Sequence, residues 1–223
     1  MVAIDGPAGA GKSTVARRVA DALNYVYIDT GAMYRAITYK ALQDGLSLDD
    51  AEALGGLAES CRIAFRRVSS GGAEPAAQQV LLDGEDITAA IRHPEVTAAV
   101  SVVAAAAPVR LALRELQRGL AQPGGVVMDG RDIGSVVLPD ADRKFYVTAD
   151  VDERARRRQK ELEAQGHPAP LEKVRELLLH RDHIDSTRAV SPLVQAPDAI
   201  PIDTTARTVE EVVATILNRC GRS

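Results

Sequence analysis

Eight residues near the start, Gly6-Pro7-Ala8-Gly9-Ala10-Gly11-Lys12-Ser13, constrain this chain more than any other stretch. They fit the pattern G-x-x-x-x-G-K-[ST]. A short apolar run of strand type, Val2-Ala3-Ile4-Asp5, precedes them, and a helical pattern follows, which is the context a phosphate-cradling loop requires. Val15, Val19 and Leu23, spaced four apart, give that helix one apolar face for a sheet. Glycines let the backbone turn several N–H groups toward one centre, and a helix beginning near Lys12 adds its N-terminal dipole there. Such a centre suits a polyphosphate, with Lys12 reaching the β- and γ-phosphates and the Ser13 hydroxyl holding a magnesium ion that bridges them. The competing reading, a chance glycine-rich turn, does not account for the strand before and the helix after.

With 223 residues the chain can bury a substantial core as one unit, with room for an inserted lobe. Hydrophobic residues make up 46% but aromatics only 3%, with no Trp, so the core must rest on Ala, Val, Leu and Ile. Stacking platforms for single-stranded nucleic acid are nearly absent, and a net charge of −4 gives no global pull toward nucleic acid or an anionic membrane. Any anion must be held by local clusters. Cys61 and Cys220 lie far apart and read as free thiols of a reducing compartment rather than a disulfide. His180 and His183 could share a helix face, but they read as a solvated pair rather than a zinc site. No apolar run approaches the ~20 residues of a membrane span and no basic-then-apolar leader opens the sequence, so a cytoplasmic location is expected.

Along the chain, Asn24 can close the first helix, and Tyr25–Ile28 reads as a second strand ending at Asp29-Thr30-Gly31. A helix is expected over Tyr34–Leu42, and another opened by a box-like Ser47-Leu48-Asp49-Asp50 and running to about Ser60. Residues 62 to 88 break the alternation. Ile63–Val68 and Gln79–Asp83 flank the loop Ser69–Pro75, which predicts an antiparallel hairpin in a small inserted lobe. Pro94 and Pro108 should each open a helix. In the second, Val109, Leu113, Leu116 and Leu120 form an apolar stripe that leaves Arg110, Arg114 and Arg118 on other faces. Val126–Asp129 and Lys144–Val147 read as strands, followed by helices over 152–164 and 170–183, an edge strand at Ala199–Asp203 and a last helix capped by Thr208 and Glu211. The expected fold is α/β, with a five-stranded parallel sheet flanked by helices, a small antiparallel β insert and a short helical lid. Ligands of such sheets bind at the carboxyl ends of the strands. There lie the loop from Gly6 to Ser13, Asp29 to Arg35, Asp129 to Asp132, and the residues after Val147.

Single arginines are usually surface residues. Arg35, Arg131, Arg181 and Arg188, however, sit at strand ends or among other polar candidates, and phosphoryl transfer asks for cations around developing charge. The run Arg154 to Lys160 can be a solvated helix face with Glu153, Glu161 and Glu163 as partners. A basic lid over nucleotide phosphates also fits its place between a strand and the Gly166-His167-Pro168 break.

Taken together, the loop Gly6 to Ser13, the segment Asp29-Thr30-Gly31-Ala32-Met33-Tyr34-Arg35, the segment Asp129-Gly130-Arg131-Asp132-Ile133-Gly134 and the segment Arg181-Asp182-His183-Ile184-Asp185-Ser186-Thr187-Arg188 resemble the bacterial cytidylate kinases. The likeness in order and spacing covers nearly the whole chain. It implies a CORE of residues 1–61 and 97–223 with a lid at about 152–168, and an inserted nucleoside-monophosphate lobe at about 62–96. It implies ATP with Mg2+ bound by Gly6, Pro7, Ala8, Gly9, Ala10, Gly11, Lys12, Ser13 and Thr14, and a phosphoryl group exchanged with CMP or dCMP. On that similarity Ser101, Arg110 and Asp132 face cytosine, Asp185 the sugar, and Arg35, Arg131 and Arg188 the acceptor phosphate. Thr30, Tyr34 and Arg181 shape the same pocket, and Arg157 and Arg158 belong to the lid and act in catalysis with Lys12, Arg131 and Arg188. Thr30 stands where the family often has Ser. The assignment makes chemical sense: cytosine offers an N4 amino donor to a carboxylate and N3 and O2 acceptors to an arginine, whereas uracil reverses part of this. A monomer without nucleic-acid or membrane partners is expected. The alternatives are another small-molecule kinase of this fold and a nucleotide-binding switch, against which stand the absent Asn-Lys-x-Asp signature and the extra arginines.

Overall fold

The computed structural model describes residues 1–68 and 77–221. The loop Ser69–Pro75 expected within the hairpin lies outside the described residues. The chain divides into two compact units, Met1–Tyr27 with Val126–Ser223, and Ile28–Gly125.

The first unit holds β1 (Val2–Asp5), α1 (Lys12–Leu23), β6 (Val126–Gly130), β7 (Arg143–Thr148), α6 (Val151–Ala164), α7 (Leu171–Thr187), β8 (Ile200–Asp203) and α8 (Val209–Arg219). The strands form a parallel sheet in the order β2-β6-β1-β7-β8, where β2 is Val26–Asp29. β1 is central, with Asp5 level with Gly130 on one side and Tyr146 on the other. Every residue of β1 and β6 is buried, as expected of strands covered on both faces. One core packs Val15, Val19 and Leu23 of α1 and Val212 and Ile216 of α8 on Ile4, Val127, Phe145, Val147 and Ile202. α1 ends where expected, because Asn24 takes a left-handed φ of 56° and its N–H caps Ala20 and Asp21. The box at α8 is present: Thr208 Oγ1 accepts from Glu211 N, and the Glu211 carboxylate accepts from Thr208 N.

The second unit contains α2 (Thr30–Gln43), α3 (Ala51–Ser60), the antiparallel strands β3 (Ile63–Val68), β4 (Ala77–Leu82) and β5 (Glu85–Asp86), a 3-10 turn over Ala90–Arg92, α4 (Pro94–Ala105) and α5 (Ala107–Ala121). The range 62–96 expected for the lobe falls inside this unit and includes all three antiparallel strands.

Several local expectations need correction. α2 starts at Thr30, four residues earlier than the sequence suggested, because the Asp29 carboxylate accepts from Ala32 N at 2.9 Å and caps the turn. α3 is capped by Asp50 rather than Ser47; Asp50 Oδ1 accepts from Ala53 N at 3.0 Å. The buried face of α5 is wider than the expected stripe: Arg110, off that stripe, is 3% exposed, and Gln117 is buried as well, while Leu116 and Leu120 are only half-buried. α7 runs on to Thr187, carrying Arg181 and Asp185 on one rigid element and leaving Arg188 as its C-terminal cap. After β6 comes a π-helical turn, Ile133–Val137, which no periodicity announces. Among the described residues no single helix is long and apolar enough to cross a membrane.

Candidate active site

The phosphate-binding loop is held by backbone geometry. Gly6 has φ 144°, and a Cβ there would run into the Val147 carbonyl oxygen, so only glycine fits. Gly11, with φ 84°, opens α1 without a capping side chain. Lys12 is buried and donates from Nζ to the Pro7 carbonyl at 2.7 Å. Burial and then the neighbouring Arg131 push its ammonium well below the usual lysine range, against the pull of Asp129 and Asp5. Ser13 Oγ donates to Asp129 Oδ2 at 2.8 Å, and Tyr27 donates to Asp129 Oδ1 at 2.9 Å.

At the carboxyl end of β6 the same unit alternates charges, with Asp132, Asp185 and Arg188 buried and Arg131 half-buried. Arg131 Nε donates to Asp185 Oδ2 at 2.9 Å; Arg188 lies 3.5 Å from Asp185 and 3.8 Å from Asp132. Burial alone would raise the Asp185 pKa, but Arg131, Arg181 and Arg188 outweigh it and hold the carboxyl below its ordinary value. Arg188 is itself fixed by donating from Nε to Ser191 O at 2.7 Å.

On α6, Arg157 donates to Glu153 and to the Thr204 hydroxyl and carbonyl, at 2.9 and 2.7 Å for the last two. Its Nη1 passes close to the loop: a Cβ on Gly11 would lie 3.8 Å from it. Arg158 pairs with Glu161 on its own helix. Arg154 is buried and bridges three segments, donating to Ala149 O, to Ala8 O of the loop and to Asp182 of α7 at 3.0, 3.2 and 2.6 Å. The second unit carries its own set. Arg110 lies over the Tyr34 ring at 5.3 Å and donates to Ala104 O; Arg35 donates to Thr97 Oγ1 at 2.8 Å; Thr30 is buried in the first turn of α2 and Ser101 half-buried on α4.

The family model for cytidylate kinase matches residues 2–222. The chain belongs to the cytidylate kinase family. It is 55% identical over 223 residues to the cytidylate kinase of Symbiobacterium thermophilum, covering 100% of this chain and 96% of that one. It is 54% identical to that of Geobacillus thermodenitrificans over 97% of this chain and 94% of the relative, and 52% identical to that of Enterococcus faecalis over 97% and 93%. A crystal structure of an uncharacterized protein from Eubacterium ventriosum superposes with a TM-score of 0.53 at 11% identity, covering 100% of this chain and 98% of that chain, which speaks to the fold alone.

Within this member of the cytidylate kinase family, the residues singled out from sequence fall into two groups. Lys12, Ser13, Arg131, Asp132, Arg157, Arg158, Arg181, Asp185 and Arg188 lie on the first unit, and Thr30, Tyr34, Arg35, Ser101 and Arg110 on the second. Thr14 is exposed beyond the loop. Sequence reading left Asp129 without a role, although an acid ending an apolar strand run was a usable signal. It also missed Asp5 and Thr204, and saw Arg154 only as part of a basic run; each has a partner 128 or more residues away. His180 and His183 are exposed, and among the described residues no group of three His, Cys, Asp or Glu gathers for a metal. Cys61 and Cys220 are free thiols.

Proposed function

We propose that the chain transfers the γ-phosphoryl group of ATP to CMP or dCMP, giving ADP and CDP or dCDP, on the residues described above. It is a CMP kinase, a phosphotransferase with a phosphate group as acceptor. The observation that carries this assignment is the alternation of half-buried Arg131 with buried Asp185, Arg188 and Asp132 in the unit that holds the phosphate-binding loop. A nucleotide switch has one polyphosphate to bind; a second set of enclosed guanidinium groups, Arg188 buried and Arg131 half-buried, calls for a second phosphorylated substrate.

Residues Gly6 to Thr14 hold ATP, with backbone N–H groups around the phosphates and the Lys12 ammonium between β and γ. The donor set fits magnesium, because the Ser13 hydroxyl and the Asp129 carboxylate behind it are hard oxygen ligands. When bound, the ion neutralises charge between the β- and γ-phosphates. Arg131 and Arg188 hold the acceptor phosphate in line and take up charge on the transferring group, helped by Arg157 and Arg158 of the lid at about 152–168. Arg35, Thr30, Tyr34 and Arg181 complete the phosphate contacts, Asp185 takes the sugar, and Ser101, Arg110 and Asp132 read cytosine. Residues 1–61 and 97–223 serve as CORE and 62–96 as the acceptor lobe. The protein works as a cytoplasmic monomer without nucleic-acid or membrane partners, in keeping with a net charge of −4 and few aromatics.

The test is coupled ADP release with CMP, dCMP, UMP, AMP and shikimate as acceptors. CMP and dCMP should be turned over at least roughly tenfold more efficiently than UMP. Equal turnover without any acceptor would mark a switch, and a preference for AMP or shikimate another kinase of this fold.

A further inference from the structure

Asp5 is the last residue of β1, one position before the phosphate-binding loop, and is 4% exposed. Both of its carboxylate oxygens are engaged by main chain. Oδ1 accepts from Ile133 N at 2.8 Å and Oδ2 from Gly134 N at 2.7 Å. These are the first two residues of the π-helical turn, which is closed by five-residue bonds from Val137 N to Asp132 O and from Leu138 N to Ile133 O, at 3.1 and 2.7 Å.

The first N–H groups of a helical turn need acceptors, and an aspartate at the N-cap usually supplies them from its own side chain. Asp132 occupies the N-cap here, yet its side chain makes no capping bond. Asp5, from a neighbouring strand and 127 or more positions away in sequence, does that work in its place. The Asp132 carboxylate lies instead 3.8 Å from Arg188. Gly134 lets the turn come close enough: a Cβ there would meet Lys144 Cδ at 3.1 Å and Asp5 Oδ2 at 3.4 Å.

We propose that Asp5 is a positioning residue for acceptor selection: by capping the π-helical turn in trans, it keeps the Asp132 carboxylate off that turn and available to the acceptor base. The inference rests on the reading that Asp132 recognises cytosine. Burial pushes Asp5 up to about 6, so that it is mostly ionised near neutral pH and accepts both bonds. In Asp5→Asn one oxygen becomes an amide that opposes an N–H, and Asp132 becomes the nearest acid able to cap its own turn.

The experiment compares kcat/KM for CMP and UMP in Asp5→Asn, Asp132→Ala and the double variant, with KM for ATP and a thermal melt as controls. Asp5→Asn should lower the CMP-to-UMP ratio by roughly fivefold or more while KM for ATP shifts less than about twofold. The double variant should fall no further than Asp132→Ala alone, because both changes remove the same contact. Asp5→Glu keeps the charge but sets the longer carboxylate out of register with the Ile133 and Gly134 amides; it should lower the CMP-to-UMP ratio in the same direction, so it carries the test where Asp5→Asn does not fold. Equal decline for both acceptors, or additive effects in the double variant, would overturn the role of Asp5 while leaving Asp132 intact as the base reader. An unchanged ratio in Asp132→Ala would sink the cytosine reading itself, and this inference with it.

Discussion

The Ser13 hydroxyl and the Asp129 carboxylate, 116 residues apart, meet at 2.8 Å in a side-chain hydrogen bond between the phosphate-binding loop and the end of β6. Under the proposed function, the pair would orient one hard oxygen, with another behind it, toward nucleotide-bound magnesium. Asp129→Ala should therefore raise the Mg2+ concentration for half-maximal rate by roughly tenfold or more, as outer ligands of metal sites generally do when lost. Initial rates across a magnesium titration at saturating CMP check this. A variant with a lower rate at every magnesium level but an unmoved midpoint would show that Asp129 acts otherwise.

Lys12 is expected to contribute to turnover and little to folding. Its ammonium is buried against Pro7 O and Arg131, an arrangement that disfavours the charged form until phosphate arrives. Lys12→Ala should lower kcat by roughly a thousandfold or more, since positioning and charge are nearly the whole of phosphoryl-transfer catalysis. Its urea midpoint without nucleotide should stay at or above the parent's. Parent-like turnover in the variant would remove the loop lysine from the mechanism.

Arg154 and Arg175 provide a paired test of burial. Arg154 bonds two carbonyls and Asp182 from a site that is 6% exposed, whereas Arg175 reaches Asp152 from the surface. Breaking a buried pair leaves an uncompensated charge and costs about 3 kcal/mol, whereas an exposed pair is screened by water and its loss costs little. Denaturant unfolding of Arg154→Met and Arg175→Met should rank them in that order. Equal small losses would mean that water reaches Asp182 and the Ala8 carbonyl easily.

Asp5 should imprint a pH dependence on stability. Burial raises its pKa from 3.8 to about 6, against the opposing pull of its two main-chain bonds. A carboxyl whose folded value is raised binds more protons folded than unfolded between those limits, so its contribution falls as pH rises from about 4 to about 6. The total change is on the order of 3 kcal/mol. Urea unfolding of the parent and of Asp5→Asn from pH 4 to 7 should diverge across that window, with the parent losing stability relative to the variant as pH rises. Parallel curves would show that Asp5 keeps an ordinary pKa.

Elements written in contiguous residues are legible in the sequence. The glycine spacing of the loop, the four-residue apolar period of α1, Asn24 at the end of α1, Pro94 at the start of α4 and the Thr208–Glu211 box each depend on chemistry within one turn or strand. The same holds for the parallel sheet, because the alternation of strand and helix leaves few ways to bury both faces. Family membership is legible too, since its motifs are short strings such as Asp29 to Arg35 and Asp129 to Gly134.

Tertiary structure alone decided which polar residues are buried and with whom. Arg110 sits off the apolar stripe of α5 and would be placed in water by periodicity, yet Tyr34 and the Ala104 carbonyl receive it. Asp129, Asp5 and Arg154 are matched by distant groups; Ser13, the amides of Ile133 and Gly134, and Ala8 O reach them only when β1, β6 and α6 come together. The physical reason is range. A cap or an apolar period is settled by atoms a few residues away, whereas a buried charge is tolerated only where distant segments supply its counter-charge and hydrogen bonds, and that pairing exists only once the sheet has formed.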